Sequence, residues 1–294
     1  MDESESLARS FEAHRAHLRA VAYRMLGSLS DADDAVQETW LRLARSDTSG
    51  VQNIGGWLTT VAARVCLDML RARAARREDP LDVYVPDPIV SPAVGSGPEQ
   101  EALLADSVGL ALLVVLDTLS PTERLAFVLH DVFAVPFDEI ARILDRSPAA
   151  AKQLASRARR RLGGTGPAPN ADLARQRDVV DAFLTAARKG DFGALLTVLD
   201  PDVVLRADAG AGPMGPSRLV HGSRAVAEQT LGFARFARFA RPVLVNGTPG
   251  LIAVADGQAI SVMGVTIRGD KIVEIDILAD PERLRRLDLT VLDG

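Results

Sequence analysis

Apolar residues in the first 162 positions recur three and four places apart, which is the period of an amphipathic α-helix. The pattern predicts helices over residues 7–26, 30–44 and 57–77. Ser30 is the predicted N-cap of the second helix, because acidic residues crowd its first turn, where the helix dipole favours anions. The chain is therefore expected to begin with a helical domain, residues 1–77.

Two of these helices also carry candidate chemistry on their outer faces. The second helix directs four side chains away from its apolar stripe: Asp34, Gln37, Glu38 and Leu41. The third helix ends in a basic half, and the helix dipole favours cations at a C-terminus. That effect accounts for two or three of the arginines but not for the whole cluster. The cluster consists of Arg64, Arg71, Arg73, Arg76 and Arg77.

Residues 136–162 predict two short helices joined by a tight turn, with Ser147 and Pro148 starting the second. The second helix has a narrow apolar stripe, Ala151, Leu154, Ala155, Ala158 and Leu162. Its other side is polar and cationic: Ala149, Lys152, Gln153, Ser156 and Arg160 face away from the stripe, flanked by Arg157, Arg159 and Arg161. The candidate DNA contacts on it are Ala149, Lys152, Gln153, Arg157 and Arg160. A helix-turn-helix requires a small apolar seam under such a face. An ordinary helical hairpin with a solvated basic face has the same pattern, so this segment alone leaves both interpretations open.

Proline and glycine divide the rest of the chain. Residues 78–98 lack a helical period and contain five prolines, which predicts an extended linker before a second helical domain, residues 99–162. Within this second domain, Ser120-Pro121-Thr122-Glu123 predicts a capping box that starts a helix, with proline at the first helical position. A second linker covers residues 163–170. Residues 171–280 then combine helices with short strands and Asn-Gly and Asp-Gly turns, which predicts an α+β domain with helices on a curved antiparallel sheet. Residues 281–294 form a last helix and tail.

Composition narrows the class of protein. The 294 residues are 47% hydrophobic and 25% charged, with one cysteine, so an internal disulfide framework is excluded. The start of the chain does not resemble a signal peptide, and no apolar run reaches the ~20 residues of a membrane helix. We therefore expect a cytoplasmic protein without a membrane contact. The net charge of −5 argues against a general polyanion binder and directs attention to the local basic clusters.

Three features occur in a fixed order: the acidic helix DADDAVQETWLRL, the basic helix GWLTTVAARVCLDMLRARAARR and the helix-turn-helix. In this order residues 7–162 resemble an extracytoplasmic-function (ECF) sigma factor. The C-terminal third resembles a SnoaL-like (NTF2-like) domain, which marks the subgroup with a fused regulatory domain. The segment YVPDPIV is similar to the WLPEP-type linker motif of that subgroup, and ADPERL is similar to its NPDKL-type end.

The resemblance implies a multidomain fold, with sigma regions 2 and 4 followed by an α+β cone. It implies that Asp34, Gln37, Glu38 and Leu41 contact core RNA polymerase. The arginine cluster of the third helix would lie on the promoter −10 element, and the outer face of the last helix would read the −35 element. The expected partners are core RNA polymerase and promoter DNA, with no cofactor and no metal.

The resemblance also implies a regulatory contact inside the chain. Its expected members come from the linker, from the DAGAG loop at the DGGGK-type position and from the C-terminal motif: Tyr84, Pro86, Pro88, Asp208, Gly210, Gly212, Asp280 and Pro281.

SnoaL-like domains can be enzymes, and Asp208, His221, Asp256 and Asp276 are the candidate acids and bases here. Their spacing forms no catalytic arrangement, so we expect no enzyme. Whether the cone holds a small molecule stays open. Two other functions also stay open: a ligand-sensing helix-turn-helix repressor and a SnoaL-type isomerase or cyclase.

Overall fold

The computed structural model describes residues 3–47, 50–76, 83–93, 109–162, 173–210 and 215–289. The chain divides into two compact units. The first combines Met1–Pro80 with Val115–Thr165, and the second combines Leu81–Val114 with Gly166–Gly294. Each unit is described by itself.

The first unit begins with helices α1 (Glu3–Leu26), α2 (Leu29–Ala44) and α3 (Ile54–Arg76). Their apolar stripes meet in a core that includes Phe11, Leu18 and Leu58. The prediction that Ser30 caps α2 was wrong. Gly27, with a φ of +69°, ends α1, and the Ser28 hydroxyl accepts from the amide of Asp31 at 3.3 Å. The helix therefore starts one residue before Ser30.

Helix α4 (Leu110–Leu116) crosses the boundary between the units, with Leu110–Val114 in the second. The second helical part of the first unit contains α5 (Pro121–Phe127), α6 (Phe137–Leu144) and α7 (Pro148–Leu162). A π-helical turn, Val128–Val132, continues α5. The predicted capping box at the start of α5 is present, with Ser120 and Glu123 bonded reciprocally. The predicted apolar stripe of α7 is buried at Ala151, Ala155, Ala158 and Leu162. Helices α6 and α7 thus form the expected helix-turn-helix.

The second unit is built on one seven-stranded sheet in the order β1-β4-β5-β6-β7-β2-β3. The strands are β1 (Val90–Pro92), β2 (Leu199–Asp208), β3 (Arg218–His221), β4 (Ala240–Val245), β5 (Thr248–Ala255), β6 (Gln258–Arg268) and β7 (Lys271–Leu278). The helices are α8 (Leu173–Lys189), α9 (Phe192–Val198), α10 (Ser223–Gly232), α11 (Ala234–Ala237) and α12 (Pro281–Leu284). Apolar residues of α8 and of the strands share one buried core.

Two features of this sheet differ from the expectation. Strands β2 and β7 pair in parallel, an arrangement that a tight hairpin could not join but that the long connection through β3 to β6 allows. The expected extended linker also contributes a strand: β1 pairs antiparallel with β4, with Val90 opposite Val245. The described part of this linker is therefore a structural element of the second unit.

Candidate functional site

The outer face of α2 presents the four residues predicted to contact polymerase. Asp34, Gln37 and Leu41 are exposed, and Leu41 keeps 39% of its accessible surface. Glu38 is half-buried because its carboxylate accepts a hydrogen bond from Arg42 at 2.9 Å, one turn later. An exposed leucine between acidic and amide groups suits a protein partner, since the leucine contributes apolar area and the polar groups set orientation.

The arginines of α3 do not all lie on one free surface. Arg71 is exposed, with only a loose ion pair to Asp68 at 3.8 Å. Arg73 is half-buried, donating to the carbonyl of Leu26 at 3.2 Å and forming an ion pair with Asp31. Arg73 therefore joins α3 to the segment between α1 and α2. The side chain of Arg76 and all of Arg77 lie outside the described residues.

Arg64 lies against the helix-turn-helix within the first unit. Its guanidinium donates to the carbonyl of Arg142 in α6 at 3.1 Å. Trp57, Arg64, Glu139 and Arg142 all line one groove between α3 and α6. In this conformation the predicted −10 face of α3 is thus partly covered by the helix-turn-helix.

A second contact between these two helical parts is buried. Arg124 of α5, 2% exposed, donates from Nε and Nη2 to the carbonyl of Arg24 at 3.4 and 3.3 Å. Its Nη1 donates to Asp117 at 3.1 Å. A buried guanidinium with these partners is satisfied, so it fixes α5 on the end of α1.

Helix α7 presents the residues predicted to read the −35 element. Ala149, Lys152, Gln153, Arg157 and Arg160 are all exposed. The flanking cations are held by acids of the same unit: Arg159 donates to Asp131 at 2.7 Å, and Glu123 accepts from Arg161 at 3.3 Å, with Arg157 at 3.8 Å.

Glu123 itself is tuned by these neighbours. Burial raises the pKa of its carboxyl, but hydrogen bonds from Ser120 and the charges of Arg161 and Arg157 lower it by more, so the pKa lies below its usual value. The carboxylate is therefore charged at neutral pH and can hold Arg157 and Arg161 of α7 by ion pairs.

The second unit contains a polar cluster centred on Arg283 of α12, which we call the linker clasp: Tyr84, Val85, Asp87, Asp208, Asn246, Asp280 and Arg283. Arg283 donates from Nε to Asp87 at 2.9 Å, from Nη1 to Asp208 at 2.6 Å and from Nη2 to the carbonyl of Val85 at 2.6 Å. Its guanidinium also lies 4.7 Å from the ring centre of Tyr84. One side chain of the C-terminal motif thus holds the linker and the end of β2 together.

The linker backbone is bonded at two further points. The Val85 amide donates to Asp208 at 3.1 Å. Residue 89 exchanges two bonds with Asn246: the Asn246 amide donates to the Ile89 carbonyl at 2.8 Å, and the Ile89 amide donates to Asn246 Oδ1 at 3.0 Å. Pro86 and Pro88 are buried between these points.

Asp208 and Asp280 bring the end of β2 and the start of α12 into the clasp. Burial raises the pKa of Asp208, opposed by the Val85 amide and by Arg283. Asp280 caps α12 by accepting from the amides of Glu282 and Arg283, with Pro281 at the first helical position. Gly210, with a φ of +50°, approaches so closely that an added Cβ would lie 2.2 Å from Asp280 Oδ2. Gly212 lies outside the described residues.

Comparison with known proteins gives the family. Residues 10–76 match Sigma-70 region 2, and residues 109–162 match Sigma-70 region 4. The chain is 34% identical to the probable ECF RNA polymerase sigma factor SigI of Mycobacterium tuberculosis, over 97% of both chains. It is 37% identical to ECF RNA polymerase sigma factor SigJ of the same species, over 93% of this chain and 91% of SigJ. This chain belongs to the ECF sigma factor family.

Solved structures agree with this assignment. The crystal structure of M. tuberculosis SigJ matches 96% of this chain and 100% of its own, with 34% identity and a TM-score of 0.76. The chain is therefore a sigma factor, which binds core RNA polymerase and directs initiation at promoters. The repressor and the isomerase or cyclase are not favoured. The described helices include none long and apolar enough to cross a membrane.

The four candidate catalytic residues of the sigma factor do not converge. Asp208 belongs to the clasp, His221 ends β3 on the surface, and Asp256 occupies the β5–β6 turn with a φ of +51°. Asp276 is 1% exposed and accepts from Arg206 at 3.1 Å. Burial raises its pKa to about 6, while Arg206 opposes the shift. Among the described residues, no group of three or more His, Cys, Asp or Glu could hold a metal ion.

Sequence reasoning missed the residues that carry most of these contacts. Arg283 lies inside the quoted ADPERL motif, and Asp87 lies inside YVPDPIV, so the motifs pointed to the right segments without selecting them. Asn246 was interpreted only as a hairpin turn residue. Arg124 had no distinguishing sequence signal, because its burial depends on packing between distant helices.

Proposed function

We propose that the second unit regulates this sigma factor in cis by holding its linker in the clasp. The observation that carries the proposal is Arg283, which bonds two linker residues and Asp208 at once. In the chain, this linker joins region 2 to region 4. A linker whose backbone is paired with β4 and bonded to Asn246 cannot follow another path while it is docked.

The clasp then acts on polymerase binding by a population shift. If the polymerase requires the released linker, the apparent Kd equals the intrinsic Kd divided by the released fraction, so it rises as that fraction falls. Promoter reading by α3 requires a further step, the separation of α3 from α6, because the Arg64 guanidinium donates to the Arg142 carbonyl of α6 in this conformation. Both steps are reversible and need no covalent change.

We also propose residue roles for the two recognition faces. Asp34, Gln37, Glu38 and Leu41 contact polymerase. Cations of α3 contact the −10 element, with Arg71 and Arg64 as the accessible ones and Arg73 as a residue that fixes α3. Ala149, Lys152, Gln153, Arg157 and Arg160 contact the −35 element, with the lysine and arginines on phosphates and Gln153 on base edges.

We propose the following domain boundaries for this sigma factor. Region 2 covers residues 1–77, region 4 covers residues 99–162, and the cone covers residues 171–280, with a C-terminal segment in residues 281–294. The second unit contributes regulation and no catalysis. The protein acts in the cytoplasm, where core polymerase is.

Polymerase affinity tests the clasp. Arg283→Met should tighten binding of the full chain to core RNA polymerase by roughly tenfold or more, because it lowers the free energy needed to release the linker from the clasp. Arg285→Met is the matched control, since Arg285 is exposed two residues away. Equal affinities of the two variants, measured by fluorescence titration, would refute regulation through the clasp.

The polymerase face has its own matched pair. Leu41 and Leu219 are both exposed leucines, at 39% and 49%, and Leu219 lies on β3 of the second unit. Leu41→Ala should weaken binding to core polymerase by about fivefold or more, as expected when an interface anchor loses over ~1 kcal/mol. Leu219→Ala should leave the affinity unchanged. An unchanged affinity for Leu41→Ala would remove this face from the proposed interface.

A further inference from the structure

A cavity of about 100 Å³ lies in the second unit. Its described lining residues include no member of the clasp, although Ala209 and Ala279 adjoin Asp208 and Asp280 in the chain. It is bounded by α8, by α10 and α11, and by the sheet. Seven of its lining residues are alanines: Ala187, Ala207, Ala209, Ala237, Ala240, Ala253 and Ala279. The space exists because these short side chains stop short of the opposite wall.

The wall is apolar apart from a few groups. Leu205, Leu251, Met263 and Ile277 supply aliphatic surface, and Phe183, Phe233 and Phe236 supply rings. The polar lining residues are Arg218, Gln229, Thr230 and Ser261. Thr230 donates its hydroxyl proton to the carbonyl of Val226 at 2.8 Å, so its donor is used within α10.

Arg218 is the one charged residue among the described lining residues. Its guanidinium carbon lies 4.6 Å from the ring centre of Phe233, another lining residue, so a cation–π contact holds the guanidinium against this part of the wall. Burial lowers the pKa of Arg218. A partly desolvated cation gains more from an adjacent anion than a hydrated one does, and a guanidinium matches a carboxylate with two parallel hydrogen bonds.

Size limits the occupant. Apolar cavities of ~150 Å³ hold a molecule of benzene, so this smaller cavity of about 100 Å³ has room for a short alkyl chain and not for a whole ring. A neutral apolar molecule gains nothing from the charge of the adjacent guanidinium, and a polyanion would bring further charge against an apolar wall. A single carboxylate on a small apolar body satisfies both parts of the wall.

We propose that this cavity binds a small hydrophobic monocarboxylate, with Arg218 holding the carboxylate and the alanine-lined space holding the apolar body. The proposal does not depend on the clasp or on polymerase binding. It assigns a ligand class and not a reaction, since no acid or base faces the cavity among the described lining residues.

Calorimetric titration of the full chain tests the proposal, with butanoate and hexanoate as the probes and 1-butanol as the neutral counterpart of butanoate. The wild-type chain should bind one carboxylate per chain, at least tenfold more tightly than 1-butanol. Arg218→Met should weaken butanoate by at least tenfold and leave 1-butanol unchanged, while Arg218→Lys should keep part of the preference. Ala253→Phe should abolish binding of all three by filling the space.

Ala225→Phe is the control for the filling variant, because Ala225 is exposed on α10. Circular dichroism and the urea midpoint of each variant show whether it is folded. If Arg218→Met does not fold, the carboxylate preference of Arg218→Lys tests the role of the guanidinium instead. Three outcomes would overturn the proposal: no saturable binding of either carboxylate, equal binding of butanoate and 1-butanol, or binding that Ala253→Phe and Arg218→Met leave unchanged.

Discussion

Replacing Arg283 with methionine is the sharpest perturbation of the linker clasp. Methionine keeps an unbranched apolar stem and removes the guanidinium, so contacts along the stem are largely retained. The change deletes the bonds to Asp87, Asp208 and the Val85 carbonyl together with the contact to the Tyr84 ring. Both carboxylates then stay in place, each 8% exposed, without their cation.

The size of the effect follows from burial. Removing one partner of a buried ion pair costs ~3–5 kcal/mol, and the 18% exposure of the Arg283 side chain favours the low end, about 3 kcal/mol. A free energy of ~1.4 kcal/mol corresponds to a tenfold change, so the undocked fraction of the linker should rise by roughly 100-fold. Loss of the cation also removes a group that lowers the pKa of Asp208, so this pKa should rise further.

Hydrogen exchange of the full chain measures this population directly, because docking protects the amides of Val85 and Ile89. Peptides covering residues 83–92 should exchange roughly 100-fold faster in Arg283→Met, while the core peptides of α1 keep their protection. Arg285→Met, with an exposed side chain, should match the wild type. Equal protection of residues 83–92 in both variants would show that Arg283 does not hold the linker.

Three further predictions concern single sites. Gly210→Ala should lower the free energy of unfolding by more than ~2 kcal/mol, because a Cβ there meets Asp280, whereas Gly269→Ala, with a φ of +60° and open space, should cost only about 1 kcal/mol; urea titration compares the two. Asp276→Asn tests the buried acid: because the pKa of Asp276 in the folded chain is about 6, above its usual value, the wild type should gain stability relative to the variant as pH falls from 7 to 4, by on the order of 2–3 kcal/mol. Urea titrations at these two pH values measure the difference, and a constant difference would contradict the raised pKa. Cys66, fully buried with a pKa raised to about 12, should resist a thiol reagent in the native chain and react at once in urea; rapid native labelling would contradict its burial.

Local patterns predicted much of the helical half. The spacing of apolar residues gave α1, α3, α6 and α7, and the Ser120–Glu123 pair fixed the start of α5, because capping depends on neighbours in sequence. The faces of α2 and α7 also followed from the helical period alone. The hairpin turn at Asn246-Gly247 was predicted by the same kind of local chemistry.

Contacts between distant segments could not be read in this way. Arg64 faces Arg142 across 78 positions, and Arg283 faces Asp87 across 196. A helical period shows that a cation is on an outer face, but it does not show what packs there. The segment 78–98 was interpreted as a linker because its prolines exclude a helix, and prolines do not exclude an edge strand such as β1.

Transcription initiation in a purified system measures sigma-factor activity directly. Core RNA polymerase, with and without the full chain, is given a library of promoter fragments, and the 5′ ends of the transcripts are sequenced. We expect new, defined start sites that appear only with the protein and share sequence blocks near −10 and −35. Transcripts that begin at the same sites with core polymerase alone, or no specific start with the protein present, would contradict this expectation.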